Sequence, residues 1–149
     1  MMRRSLPVWL LGLWACAGLF GAWLPLEPDR IHLELILATP LEAGGLGYDD
    51  LGRPLADRLV AGAQTSFLVS LWVVSLSAVL GTLIGAAAGY LGGWWDRVLV
   101  HVIDLFMAFP GILLAIALAG ILGPGLDNLV LALTVVGWVG YARLVRAQV

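Results

Sequence analysis

Apolar runs long enough to cross a lipid bilayer recur along this sequence, and no other feature limits its fold so strongly. Leu6 to Leu24, Thr65 to Tyr90, Val98 to Leu122 and Leu129 to Leu144 are built mainly from Leu, Ala, Val and Gly. A bilayer core of about 30 Å is crossed by a helix of roughly 20 apolar residues. Within hydrocarbon the backbone can satisfy its own hydrogen bonds only as a helix or a closed barrel. None of these runs alternates polar and apolar residues with the period of two that a barrel strand needs, so each reads as a helix. The expected fold is therefore an all-α integral membrane protein with four transmembrane helices. Residues 1–26 form a cytoplasmic N-terminus and the first helix, residues 27–63 an extracytoplasmic segment, and residues 64–149 hold helices two to four.

Composition agrees and removes other classes. Hydrophobic residues make up 61% of the chain and charged ones only 12%, with a mean hydropathy of +0.98. A soluble domain of this size exposes far more charge. All eight basic residues are Arg, the net charge is −2, and no basic patch forms, which argues against a nucleic-acid partner. The single cysteine, Cys16, can form neither an intrachain disulfide nor a thiolate metal site. No cofactor is expected.

The arginines set the orientation, because cytoplasmic flanks are enriched in basic residues while acidic ones matter little. An inside N-terminus puts Arg3, Arg4, Arg97, Arg143 and Arg146 in the cytoplasm. The opposite side then holds Arg30, Arg53 and Arg58 in a segment that also carries Glu27, Asp29, Glu34, Glu42, Asp49, Asp50 and Asp57. Both termini are expected in the cytoplasm. An arginine pair before an apolar run also describes a secretory signal, and Leu13 to Cys16 faintly resembles a lipoprotein cleavage site. The run continues to Leu24, beyond the roughly 15 residues of a signal core, which favours a retained helix with Cys16 as a small packing residue. In the segment outside, Gly44, Gly45, Gly47 and Pro54 mark turns, a short amphipathic helix is expected near Leu55 to Val60, and His32 is expected to be solvated.

Few residues inside the spans stand out. Gly81, Gly85 and Gly89, spaced by four, form a ridge that lets another helix approach closely. The ridge serves packing inside this chain, or lines a subunit interface or pore; the spacing does not choose. Gly92 to Arg97 reads as an interfacial turn with tryptophan anchors. Asp104 lies about 12 Å further along the helix than Asp96. A lone carboxylate there is costly, so an ion pair with Arg143 or Arg146 across a helical hairpin is expected. The functional alternative is a proton relay or cation site at Asp104 with His101. Pro110 should kink the third helix, and Gly123 to Gly125 should end it. No phosphate loop, catalytic triad, metal-binding pair or paired acid is present, so no catalytic or metal site is expected.

The run from Gly47 to Arg53, comprising Gly47, Tyr48, Asp49, Asp50, Leu51, Gly52 and Arg53, resembles a segment of permease subunits from dipeptide, oligopeptide and nickel ABC importers. The likeness continues through Ala88 to Asp96, Asp104 to Pro110, Gly123 to Gly125 and Gly137 to Val149, covering about residues 44 to 149 in order. The resemblance implies the N-terminal part of a type I ABC importer permease in the inner membrane. It further implies a second permease subunit, cytoplasmic ATPase subunits and an extracytoplasmic solute-binding protein as partners. In the family, residues matching Tyr141 to Val149 lead to a cytoplasmic coupling helix and two more spans, so the chain is expected to be a truncated product or fragment. Two other readings stay open at this point: a non-conducting membrane anchor or assembly subunit, and a proton-coupled carrier using Asp104.

Overall fold

The computed structural model describes residues 2–149, with side chains from residue 7 onward. Arg3 and Arg4, counted above toward the cytoplasmic face, lie outside the residues whose side chains are described. Six α-helices account for most of the described chain: α1 Met2–Phe20, α2 Pro40–Ala43, α3 Leu55–Leu91, α4 Gly93–Met107, α5 Gly111–Leu122 and α6 Leu126–Arg146. Two units are distinguishable, residues 1–68 and 69–149, and each is described by itself.

In the first unit, α1 runs into a 3₁₀ turn at Gly21–Trp23 and packs on the early turns of α3. Small residues allow that approach. A side chain at Gly18 would collide with Phe67, and one at Gly21 would meet Val60 and Gln64 at 3.3 and 3.4 Å. The Trp14 and Phe67 rings stand edge to face, 5.2 Å between centroids. Cys16 is exposed, which corrects its reading as a packing residue. The short helix expected near Leu55 to Val60 is no separate element, being the first turns of α3. That helix is 37 residues long, which at 1.5 Å per residue gives about 55 Å, well beyond the thickness of a bilayer core.

In the second unit, the rest of α3 packs with α4 and α6 around Ala88, Leu99, Ile103, Val139 and Ala142, with Phe106 and Trp138 alongside. The turn expected over Gly92 to Arg97 is confined to Gly92 and Gly93, at φ +60° and +58°. Trp94 to Arg97 already form the first turn of α4, because glycines alone supply the left-handed backbone and nothing after them resists a helix. The third apolar run is not one helix. It divides at Ala108 to Pro110 into α4 and α5, which meet at 84°. The N–H of Ala108 makes the last bond of α4, to the Asp104 carbonyl at 2.9 Å. Pro110 then has no N–H to offer and disfavours helical backbone at Phe109. Its carbonyl accepts from Leu113 and Leu114 and starts α5. Glycines at φ +88° and +144°, Gly123 and Gly125, reverse the chain into α6. The Asn128 amide holds that reversal, donating to the carbonyls of Leu122 and Gly123 at 2.9 and 3.2 Å. Asn128 therefore caps α5 from within α6.

Among the described residues two helices, α3 and α6, are long and apolar enough to cross a membrane, and the bent α4 and α5 pair makes a third candidate. The apolar stretch in α1, Pro7–Trp23, is shorter than the length that qualifies.

Candidate functional site

The sequence-predicted residues fall in two places. The first is the helix bundle of the second unit. Here the glycine ridge of α3 faces α6 of the same chain. A Cβ on Gly81 would lie 2.5 Å from the Trp138 carbonyl oxygen and 2.9 Å from the Ala142 nitrogen, and one on Gly85 would collide with the Ala142 carbonyl. A Cβ on Gly89 would meet the Val149 side chain at 3.0 Å, beyond the end of α6. The two helices therefore touch backbone to backbone, and the ridge is covered by this chain and lines no open passage within it. One turn earlier, Ser77 and Thr134 bring two hydroxyls into the seam, 2% and 4% exposed. Neither hydroxyl has a hydrogen-bond partner.

Arg146, in the last turn of α6, reaches across to the first turn of α4. Its guanidinium grips the Asp96 carboxylate with two nitrogens, one at 2.7 Å from Oδ2 and the other on Oδ1. This is the fork geometry that makes arginine and carboxylate pairs directional. It replaces the pair expected at Asp104. Arg143 donates instead to the Met107 sulfur at 3.4 Å, and neither arginine forms an ion pair with Asp104 among the described residues. The helical register explains the exchange. Asp96, Leu99, Ile103 and Phe106 follow one another at spacings of three and four and form the row that meets α6. Asp104 lies off that row and is exposed. His101, one turn away, turns its Nδ1 to the Arg97 carbonyl at 2.7 Å, not to Asp104. Among the described residues no cluster of His, Cys, Asp and Glu is grouped to hold a metal ion.

Pro110 marks the bend. The angle between α4 and α5 opens a hollow of about 330 Å³, lined by Phe106, Met107, Phe109, Gly111, Val136 and Arg143. It is largely apolar, and Arg143 is its only charged wall.

The second place is the loop that carries Gly47 to Arg53, in the first unit. Asp49 organises it. Its Oδ1 accepts the N–H groups of Leu51 and Arg53 at 2.9 and 2.8 Å, and its Oδ2 accepts Arg53 Nε at 2.8 Å. A terminal nitrogen of Arg53 also lies at 2.8 Å and one of Arg58 at 3.5 Å. Partial burial alone would push the Asp49 carboxyl up, but those two N–H groups and the Arg53 guanidinium outweigh it and hold the carboxyl below the ordinary carboxylate value. Asp50 is exposed and takes no part.

The loop in turn pins the strand of chain before it. Gly52 and Gly47 have φ of +72° and +83°, and a side chain on either would strike the carbonyl of His32 or Ala38. His32, Leu37 and Tyr48 donate backbone N–H groups to Gly52, Asp49 and Ala38 at 2.9, 3.1 and 3.0 Å. His32 is half-buried, edge to face on Tyr48 at 5.6 Å, which corrects its reading as a solvated residue. Leu37 is held at φ +56°, a conformation that costs a β-carbon residue energy. It points outward with Leu33 and Leu41, at 67%, 74% and 98% exposure.

The amino-acid sequence of the second unit is familiar from other proteins. Residues 81–149 match the family described as binding-protein-dependent transport system inner membrane component. Three relatives extend the likeness. A probable D,D-dipeptide transport system permease protein of Escherichia coli (strain K12) is 37% identical over 131 residues, 87% of this chain and 44% of the relative. A nickel transport system permease protein of the same strain is 39% identical over 127 residues, 85% of this chain and 46% of the relative. A di/tripeptide transport system permease protein of Pseudomonas aeruginosa (strain UCBPP-PA14) is 40% identical over 141 residues, 90% of this chain and 46% of the relative. The chain thus spans about half the length of each of these relatives. Apolar helices, the bend at Pro110 and the glycine seam all lie inside the matched stretch, and over residues 81–149 the chain is similar to the inner membrane components of binding-protein-dependent transport systems.

Proposed function

We propose that this chain forms part of the translocation pathway of an ATP-driven ABC importer for small peptides or nickel, crossing the inner membrane four times with both termini in the cytoplasm. The observation that carries the reading is the run of similarity over most of the chain to permeases named for dipeptide, di/tripeptide and nickel transport. The partners that follow are a second permease subunit, cytoplasmic ATPase subunits and an extracytoplasmic solute-binding protein.

The placement of charge supports the orientation. Arg97, Arg143 and Arg146 gather where α4 begins and α6 ends, an end tied by the pair of Arg146 with Asp96. By the bias of arginine toward the cytoplasmic flank, that end faces inward. Crossing by α3 then puts residues 27–54 outside, and α1 returns the N-terminus to the cytoplasm. The absence of a charged residue deep in the glycine seam suits a chain whose selectivity resides in a soluble partner: such a permease needs helices that change packing, not a tight site of its own.

Two measurements test this. In a Cys16→Ser background, single cysteines at Leu41 and Gln148 are exposed to a membrane-impermeant thiol reagent in intact cells with a permeable outer envelope. Labelling at 41 and protection at 148 is expected, and the reverse pattern refutes the orientation. For function, the chain is expressed together with a second permease, ATPase subunits and a solute-binding protein of a dipeptide or nickel importer, and uptake of labelled dipeptide and of nickel is followed. ATP-dependent uptake of one of them, together with co-purification of an ATPase subunit, is expected. A complex that contains no ATPase, or assembles yet moves neither solute, overturns the proposal.

A further inference from the structure

The face of α4 that turns away from α6 carries a second arrangement that the transport reading leaves unused. Trp94, Arg97, Val98, His101, Val102 and Leu105 line a groove of about 440 Å³. Their spacing of three and four places them on one side of the helix, over about 16 Å of its length. Trp94 and Arg97 stand at the start of that length; beyond them His101 keeps to one flank, while Val98, Val102 and Leu105 form an apolar track along the other.

The polar end is well supplied with unused donors. A guanidinium has five N–H groups, and Arg97 commits only Nε, to the Gly93 carbonyl at 3.3 Å. That bond draws the side chain back toward the start of the helix, as an arginine does when it reaches from an apolar layer to the water boundary. Arg97 forms no ion pair among the described residues, since the nearby carboxylate of Asp96 is taken by Arg146 on the adjoining face. The Trp94 ring is 63% exposed and set edge to face on Trp95 at 5.1 Å. His101 is oriented by its bond to the Arg97 carbonyl, which directs Nε2 outward. Asp104 lies on the same side of the helix as Arg97 but seven residues, about 10 Å, beyond it, too far to pair with it.

We infer that this groove binds one anionic phospholipid, its phosphate on Arg97 and Trp94 and an acyl chain along Val98, Val102 and Leu105. An uncompensated arginine beside interfacial tryptophans attracts a phosphate, and the apolar track distinguishes a lipid from a free phosphate, which would leave it bare. The inference rests on α4 starting at a membrane boundary and holds whichever solute is carried.

The test uses the full chain in nanodiscs of phosphatidylcholine doped with phosphatidylglycerol, with retained lipid counted by native mass spectrometry. Wild-type protein is expected to retain one phosphatidylglycerol in preference to phosphatidylcholine. Arg97→Gln should weaken that preference about tenfold, the loss of a charge-assisted contact, whereas Arg30→Gln, in the other unit, should not change it. Soluble glycerol phosphate should fail to compete. If R97Q does not fold, brominated phosphatidylglycerol is compared with brominated phosphatidylcholine as a quencher of tryptophan emission. The excess quenching by the anionic lipid should fall in Trp94→Phe. Equal retention in R97Q, full competition by glycerol phosphate, or no excess quenching in wild type each overturns the inference.

Discussion

At the scale of single residues, the sharpest contrast is between glycines that touch something and glycines that do not. A Cβ on Gly85 meets the backbone of Ala142, while one on Gly120 meets nothing within 4 Å. Gly85→Ala should therefore destabilise the second unit by about 1 to 3 kcal/mol, since backbone cannot step aside as a flexible side chain can. Gly120→Ala should be neutral or gain up to about 1 kcal/mol from helix propensity. Unfolding of the two variants in the same detergent checks the difference. Asp49 makes a pH prediction. Its folded-state pKa is depressed, so between the folded and unfolded values the unfolded chain binds the extra proton. The stability it contributes is complete above the ordinary carboxylate value, about 4, and is lost as pH falls through the depressed value. The amide resonances of Leu51 and Arg53 should hold their positions from neutral pH down to about 4 and shift only below it. Movement well above that refutes the assignment. The Asp49 turn was open to reading from sequence alone, since aspartate commonly accepts the N–H two residues on. The grip of Gly47 on Ala38, nine residues earlier, and of Gly52 on His32, twenty residues earlier, was not, because only the folded chain brings those carbonyls there.

At the scale of elements, hydropathy located the apolar stretches but could not show where one of them is broken. Pro110 alone predicts a kink. The 84° break needs also the constraint that proline places on Phe109, and Gly111 after it, which is a weak helix former. Pro110→Ala should let α4 and α5 straighten, so spin labels at His101 and Gly120 should move apart; an unchanged distance would assign the bend to packing on α6 instead. The start of α4, not its break, hid the true ion pair. With α4 assigned to begin after a turn, Asp96 had no helical face, and Asp104 was left as the visible acid. Asp96→Asn and Arg146→Gln should each release the start of α4 from the end of α6. The double variant should cost less than the sum of the two, the signature of a direct contact. Additive effects would show that the pair contributes nothing.

At the scale of the whole chain, the membrane character followed from the arithmetic of apolar length, and the family resemblance from ordered motifs that are individually weak. What neither could provide is which helix covers which. Small residues at spacing four announce close approach without naming the partner, and only the three-dimensional structure places α6 there. The glycine contacts then limit how the second unit can deform. A seam made of side chains can creep, each rotamer yielding a little. Gly81 and Gly85 leave no such cushion, because the main chain of α6 lies directly against them, so a shift along α3 short of one glycine spacing carries a residue with a side chain into that contact. The next position in which the notches fit again lies four residues, or about 6 Å, away. Motion between these two helices is thus confined to whole steps or none, more like a toothed rack than a sliding bolt.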